Sequence, residues 1–339
     1  EIYTLSLHDA LPIWKNLQTL RHSKTIIGPA VVKFADENAI FFSAEPMPPN
    51  LLGYWDRERG IFFSNAFNMA SADFKRMNMV HELVHAIQTK TGAIHERDMS
   101  WSIYELQKNH LSYEAAAKTA GYLIALEFMH AENPATWEAG AGDDPMRFEQ
   151  ILKAWNRACK DSASYTDALT RTGHDVFCQQ FEEWAWLDTY NEIILSLYMK
   201  DLVEKRLQPP VSGNDSIITR DIRLSGHISP EFSFTAGFDS LPSPNLFGGN
   251  ERMRHAFSYA ELMRAHQTLG VNSAQYRDGL KKLQKENNPY IGVSIEDVYA
   301  SYSAVKDPAY ILYFMDKYAA EQKKKNAPTR AGAGLRKAS

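Results

Sequence analysis

Cysteine is nearly absent: the 339 residues hold two, Cys159 and Cys178. Two thiols make no disulfide framework, and neither stands in a C-x-x-C pair, which argues against a structural zinc ribbon. Free thiols fit a reducing compartment, so a cytoplasmic location is the expectation on this ground alone. No apolar run is long enough to span a bilayer. Charge of one sign is missing too, with 37 Lys and Arg against 41 Asp and Glu and a net charge of -4. That balance gives no reason to expect a nucleic-acid partner or an acidic substrate. No internal repeat stands out. What remains is a chain of average apolar content, long enough for one large domain or two smaller ones.

The richest stretch is Met79-Val80-His81-Glu82-Leu83-Val84-His85-Ala86-Ile87-Gln88. It contains H-E-x-x-H. On a helix, His81 and His85 lie one turn apart on one face and can reach one metal ion, with Glu82 beside it to take a proton from water. Ser71, with Asp73 close behind, signals a helix start, and Gly92 signals its end. Val80, Leu83, Val84 and Ile87 recur at helical spacing and predict a core face. Asn78, His81, His85 and Gln88 fall on another face that can line a cleft.

Around this helix the chain divides as follows. Tyr3 to Ile13 reads as the translation of a common short-read sequencing adapter, so residues 1–13 are excluded from fold reasoning and the native start is expected to be missing. Trp14 to Ile27 predicts a helix ending near Gly28-Pro29. Ala30 to Phe34 and Ala39 to Ser43 read as short strands. Leu51 to Trp55 and Ile61 to Ser64 flank a polar loop ending in Gly60, a hairpin signal. After the motif come predicted helices over Trp101 to His130, Pro145 to Lys160 and His174 to Arg206. Pro134 and Gly140 to Gly142 close the first of these blocks. Phe177, Phe181, Trp184, Leu187, Tyr190 and Ile194 form an aromatic stripe that predicts core. The expected organisation is a domain over 14–206 and a Pro- and Gly-rich linker or excursion over 207–250, with a short strand at Ser216 to Thr219. A helical lobe over 251–321, broken near Gly270 and Asn288-Pro289, and a basic disordered tail over 322–339 complete it. The fold class is therefore α+β and mostly α: a small N-terminal sheet packed on the H-E-x-x-H helix, then a helical bundle.

A catalytic zinc site takes three protein ligands and leaves one position open. The metzincin pattern needs Gly at position 88 and His at 91, where this chain has Gln88 and Thr91. A glutamate from the next helix is the gluzincin alternative. Glu105 and Glu114 compete, and nine residues put them roughly half a turn out of phase at about 100° per residue. One helix can aim only one of them at the metal. Glu114 is preferred, because Ala117 and Gly121 on its face are small and allow a close approach to the motif helix. Glu105 is followed by Lys108 and Asn109, a face that reads as solvated, and it stays as the alternative third ligand.

His-Glu-Leu-Val-His-Ala-Ile-Gln followed by Tyr113-Glu114-Ala115-Ala116-Ala117 resembles a family of uncharacterised bacterial metallopeptidase domains with a zincin-like fold. Phe181-Glu182-Glu183-Trp184 resembles their later Phe- and Trp-rich helix, and the likeness covers about residues 30 to 200. It implies a zinc-dependent peptidase site with His81 and His85 as ligands and Glu82 as base. Many gluzincins carry an acidic residue four positions after the ligand glutamate. Here that position is Lys118, or Asn109 if Glu105 is the ligand, so the groups that orient the ligands must come from elsewhere. Tyr113 is a candidate transition-state donor, as are His95, His110 and His130, and Glu182 and Glu183 are further acidic candidates.

The function these residues point to is zinc-dependent hydrolysis of a peptide bond in a protein or peptide substrate, with Zn2+ as cofactor and Glu82 as general base. Two rival readings are a non-catalytic zincin-like binding module and a secreted effector protease. The sequence leaves substrate and oligomeric state open.

Overall fold

The structure is a computed structural model and describes residues 7–47, 52–64, 71–94, 99–131, 134–211, 214–243 and 245–303. The expected tail, and His95 and Glu96, lie outside the described residues. Two helices come first, α1 (Leu7–His22) and α2 (Ile27–Glu37). α1 takes in residues from the segment set aside in the sequence reading, and its Ile13 is buried. The strand expected at Ala30 to Phe34 is instead part of α2. Ile27, Val31, Val32 and Ala35 are the buried positions there, and that spacing is helical. Pro29 does not end a helix; it lies in the first turn of one, where a missing N–H costs nothing. The Thr25 hydroxyl accepts the Gly28 N–H at 3.1 Å, and the Glu127 carboxylate accepts those of Ile26 and Ile27 at 2.6 and 3.0 Å.

A three-stranded sheet follows, β1 (Phe42–Ala44), β2 (Gly53–Asp56) and β3 (Gly60–Phe63), in the order β1-β3-β2. The expected hairpin is present: β2 and β3 pair antiparallel, with Tyr54 opposite Phe62. β1 adds parallel to β3, with Phe42 opposite Ile61. Gly60 sits at φ 110° with the Phe41 carbonyl against its α-carbon, a place where a side chain would collide.

The motif helix is α3 (Ala72–Thr91), and α4 (Ile103–Ala131) packs along it. Ala115, Ala116, Ala117 and Ala120 of α4 are fully buried. At Gly121 a β-carbon would lie 3.1 Å from the Met77 carbonyl oxygen, so these two helices meet backbone to backbone. α5 (Ala135–Asp143) occupies the stretch expected to break the chain, and Gly140 lies under the Phe148 ring. α6 (Pro145–Asp161) matches its prediction, with Asp144 as N-cap and Pro145 at the first position.

The long helix expected over His174 to Arg206 is two, α7 (Tyr165–Gln180) and α8 (Trp184–Val203). Three i to i-3 bonds close the chain through Phe181, Glu182 and Glu183, tightening the end of α7 before α8 begins. Trp184 accordingly departs from the stripe and is 65% exposed, while Phe177, Phe181 and Leu187 are core. Ser216 to Thr219, read as a strand, lies in α9 (Asp215–Ser225), and a small hairpin follows, β4 (His227–Ser229) and β5 (Phe232–Ser233). Ile218, Ile222, Ile228, Phe232 and Phe234 of this segment join the same apolar cluster as Val80, Leu83 and Val84 of α3. α10 (Glu251–Leu269) and α12 (Ile295–Ser303) pack on α8, and α11 (Ala274–Lys285) packs on α10, around a second cluster that includes Leu195, Tyr198, Phe257 and Val298. α4 serves both, with Ile103 in the second cluster and Leu111 to Phe128 in the first.

Candidate metal centre

The position of the histidines follows from how α3 starts, stops and turns. The Ser71 hydroxyl accepts the Phe74 N–H at 3.1 Å, and Gly92 closes the helix in the left-handed region at φ 80°. Val80, Leu83, Val84 and Ile87 face the core with at most 1% exposure. That phase turns His81 and His85 toward α4, where Glu114 meets them. His81 Nε2 and His85 Nε2 are 3.0 Å apart, and Glu114 Oε2 is 3.7 Å from the first and 3.6 Å from the second. These three atoms lie within 4.8 Å of one another, the one such group of His, Cys, Asp and Glu among the described residues.

The donor set fits a metal ion. A tetrahedral ion about 2.1 Å from each donor needs donors about 3.4 Å apart, and the three observed separations straddle that distance. Two imidazoles and a carboxylate are also the donor types that suit zinc.

Electrostatics favour a positive charge at the same point. Burial works to lower the pKa of His85, but the charge of Glu114, with Glu82 and Gln88 behind it, outweighs it and raises it. Burial and the neighbouring His85 lower that of His81. Burial alone would raise Glu114, yet the two histidines hold it well below the usual carboxylate range. Glu82, one residue along from His81, is pushed up to about 7 by burial, with Glu114 adding to the rise and His85 and the Trp55 N–H opposing it. The Trp55 N–H has strand geometry behind it. Ser64 bonds to Leu52 across the hairpin, so Gly53 and Trp55 occupy alternate positions whose backbone groups point to the outer edge of β2. The Trp55 indole N–H also donates to Thr89 of α3 at 2.9 Å, fixing that edge over the motif helix.

The remaining candidates are dispersed. Glu105 is not brought to the histidines. It forms a capping box with Ser102, accepting its N–H at 2.6 Å while the Ser102 hydroxyl accepts the Glu105 N–H at 3.1 Å. The Tyr113 ring stands edge-on to His85 at 5.6 Å, and its hydroxyl bonds to His110 Nδ1. His130 lies against Trp155 at the far end of α4. Glu182 is exposed, whereas Glu183 pairs with Arg147 at 2.5 Å and Lys118 at 3.4 Å. Two site residues escaped the sequence reading. Tyr190, taken as core, donates its hydroxyl to Glu114 Oε2 at 2.9 Å. In the stripe that contains it, Tyr190 alone carries a hydroxyl, and a buried hydroxyl needs a partner. Gln88, placed only on the cleft face, bonds to His85 Nδ1 at 2.9 Å.

In the comparison with known proteins, residues 30–209 fit the model of the family described as "Putative metallopeptidase family (DUF6782)". No curated protein and no solved structure matches the chain.

Proposed function

The chain belongs to that metallopeptidase family, and from this premise we propose that it is a zinc-dependent peptidase of the gluzincin type. One observation carries the reading: His81 Nε2, His85 Nε2 and Glu114 Oε2 converge on one point beside the buried Glu82. His81, His85 and Glu114 would hold the metal. A zinc ion bound there supplies Lewis acidity, which brings the pKa of water down to near neutrality and polarises a carbonyl.

The chain's own groups do the rest. Glu82, buried next to the three donors, is placed to take a proton from water and return it to the leaving amine. The Trp55 indole N–H donates to Thr89 of the motif helix and sets the edge of β2 over it. Gly53 lies on the same edge and is buried; a protein or peptide substrate is supported by the family the chain belongs to. Tyr190 orients the Glu114 carboxylate by its hydrogen bond. Tyr113, against His85, is the phenol we assign to the oxyanion.

Zinc content of the purified chain and hydrolysis of a peptide library test this together. About one zinc per chain is expected, with Glu82→Gln abolishing turnover and keeping the zinc. Undiminished hydrolysis by Glu82→Gln, or no zinc after supplementation, would sink the mechanism.

A further inference from the structure

His85 has two ring nitrogens, and only Nε2 faces His81 and Glu114. The other, Nδ1, is 2.9 Å from Gln88 Oε1. Gln88 follows His85 by three residues on α3 and has no exposed surface. Its amide nitrogen donates to the Tyr113 carbonyl at 3.0 Å and to the Ser225 carbonyl at 2.7 Å. Carbonyl oxygens only accept, so both protons of the Gln88 amide are committed there. Its oxygen must therefore be the atom facing His85. An acceptor at that place requires a hydrogen on Nδ1. A neutral imidazole with its hydrogen on Nδ1 has its lone pair on Nε2, directed at His81 and Glu114.

We propose that Gln88 is a positioning residue that fixes His85 in the tautomer able to ligate metal, and that α9 holds Gln88 in place. The inference rests on the reading of His85 as a ligand. It supplies the orienting group that Lys118, standing where many gluzincins have an acid, does not. It also extends the working site past the family match, which ends at residue 209. Ser225 is the last residue of α9, 137 positions from Gln88 in the chain. Three further bonds tie α9 to the neighbourhood of that helix end. Arg220 donates to the Gly92 carbonyl at 3.3 Å, and Asn109 bridges the Ala93 carbonyl at 3.1 Å to Asp221 at 3.3 Å.

Two substitutions in the full chain separate positioning from packing. Gln88→Leu removes the acceptor and both donors. Gln88→Glu keeps an acceptor for His85 and loses both donors. Zinc affinity is measured by competition with a chromophoric chelator, and the thermal midpoint of each metal-free protein is measured alongside. Both variants should melt lower, since each strands the Tyr113 and Ser225 carbonyls. Gln88→Leu should bind zinc about 10- to 100-fold more weakly, and Gln88→Glu, which keeps the acceptor and loses the hold of α9, should lie between Gln88→Leu and the unmodified chain. Affinities that fall together in step with the midpoints, or an unchanged affinity in Gln88→Leu, overturn the proposal. If Gln88→Leu does not fold, the 15N resonances of His85 in the zinc-loaded unmodified chain decide: coordination through Nε2 with a protonated Nδ1 supports it, and coordination through Nδ1 overturns it. An unmodified chain that binds no zinc overturns the metal reading itself and this inference with it, a result distinct from a failure of Gln88 alone.

Discussion

Glu127 offers a test of the fold with a defined sign. Its carboxylate lies fully buried on α4 and accepts the N–H groups of Ile26 and Ile27, where α2 begins. Ile26 has no side-chain bond of its own to give, so this cap comes from 100 residues away. Burial pushes the carboxyl up from 4.5 to about 7, against the pull of the two N–H bonds. The folded chain therefore keeps a proton on Glu127 to higher pH than the unfolded chain does. The stability this gives is fully present below pH 4.5 and is lost as pH rises through about 7. At about 1.4 kcal/mol per pH unit, the rise corresponds to on the order of 3 kcal/mol. Glu127→Gln is neutral at every pH and lacks this slope. Urea unfolding at a series of pH values should show the unmodified chain losing up to about 3 kcal/mol relative to Glu127→Gln as pH rises from acid to alkaline. Parallel stability curves for the two proteins would refute the argument.

Two further substitutions probe the packing that sets the site. Gly121→Leu inserts a side chain where a β-carbon already comes 3.1 Å from the Met77 carbonyl; it should cost about 1–3 kcal/mol and weaken zinc binding, because Glu114 moves with α4. Thermal melts and zinc titration check it, and unchanged zinc affinity would show that the helix contact does not set the donor separations. Arg264→Met removes a fully buried guanidinium that donates to the carbonyls of Gln208 at 2.9 Å, Trp101 at 2.6 Å and Ser100 at 2.5 Å and stands 3.9 Å from Glu261. Stranding those acceptors should cost about 3–5 kcal/mol in urea unfolding, and a loss under about 1 kcal/mol would count against these bonds holding the segment in place.

What could be read from the sequence was local and periodic. Ser71 and Gly92 marked the ends of α3, and the spacing of Val80, Leu83, Val84 and Ile87 turned His81 and His85 away from the core. The half-turn between Glu105 and Glu114, with the small residues after Glu114, was enough to prefer the glutamate that the structure brings to the histidines. Where reading failed, a local signal had two meanings. Ala30 to Phe34 is mostly apolar with two β-branched residues, but its Val31 and Val32 also belong to the buried face of a helix whose cap lies on α4, and no window around it contains Glu127. The break between α7 and α8 has neither Gly nor Pro. There Glu183 leaves the helical path and pairs with Arg147 and Lys118 from two other helices.

The groups that hold the site together are buried and polar, and their partners are far away in sequence. Glu127 caps α2 from α4. Glu261 accepts the Ile103 N–H at the start of α4 from 158 residues on, and also the Tyr198 hydroxyl. Gln88 is held by Ser225. Each must be satisfied because an unpaired polar group in the core is costly. None contributes to a hydrophobic period, which is why such residues read as surface or as nothing in particular. α4 is the element they converge on. It carries Glu114, it is capped by Glu261, and it lends Glu127 to α2 and the Tyr113 carbonyl to Gln88. A metal centre shared between α3 and α4 needs α4 fixed in height and rotation to within a fraction of an ångström. Apolar packing along Ala115 to Gly121 sets how near α4 comes to α3, but a smooth apolar face can slide. The directional hydrogen bonds at both ends of α4 resist that sliding. The C-terminal helices therefore bear on the site through the height of Glu114, without touching the histidines.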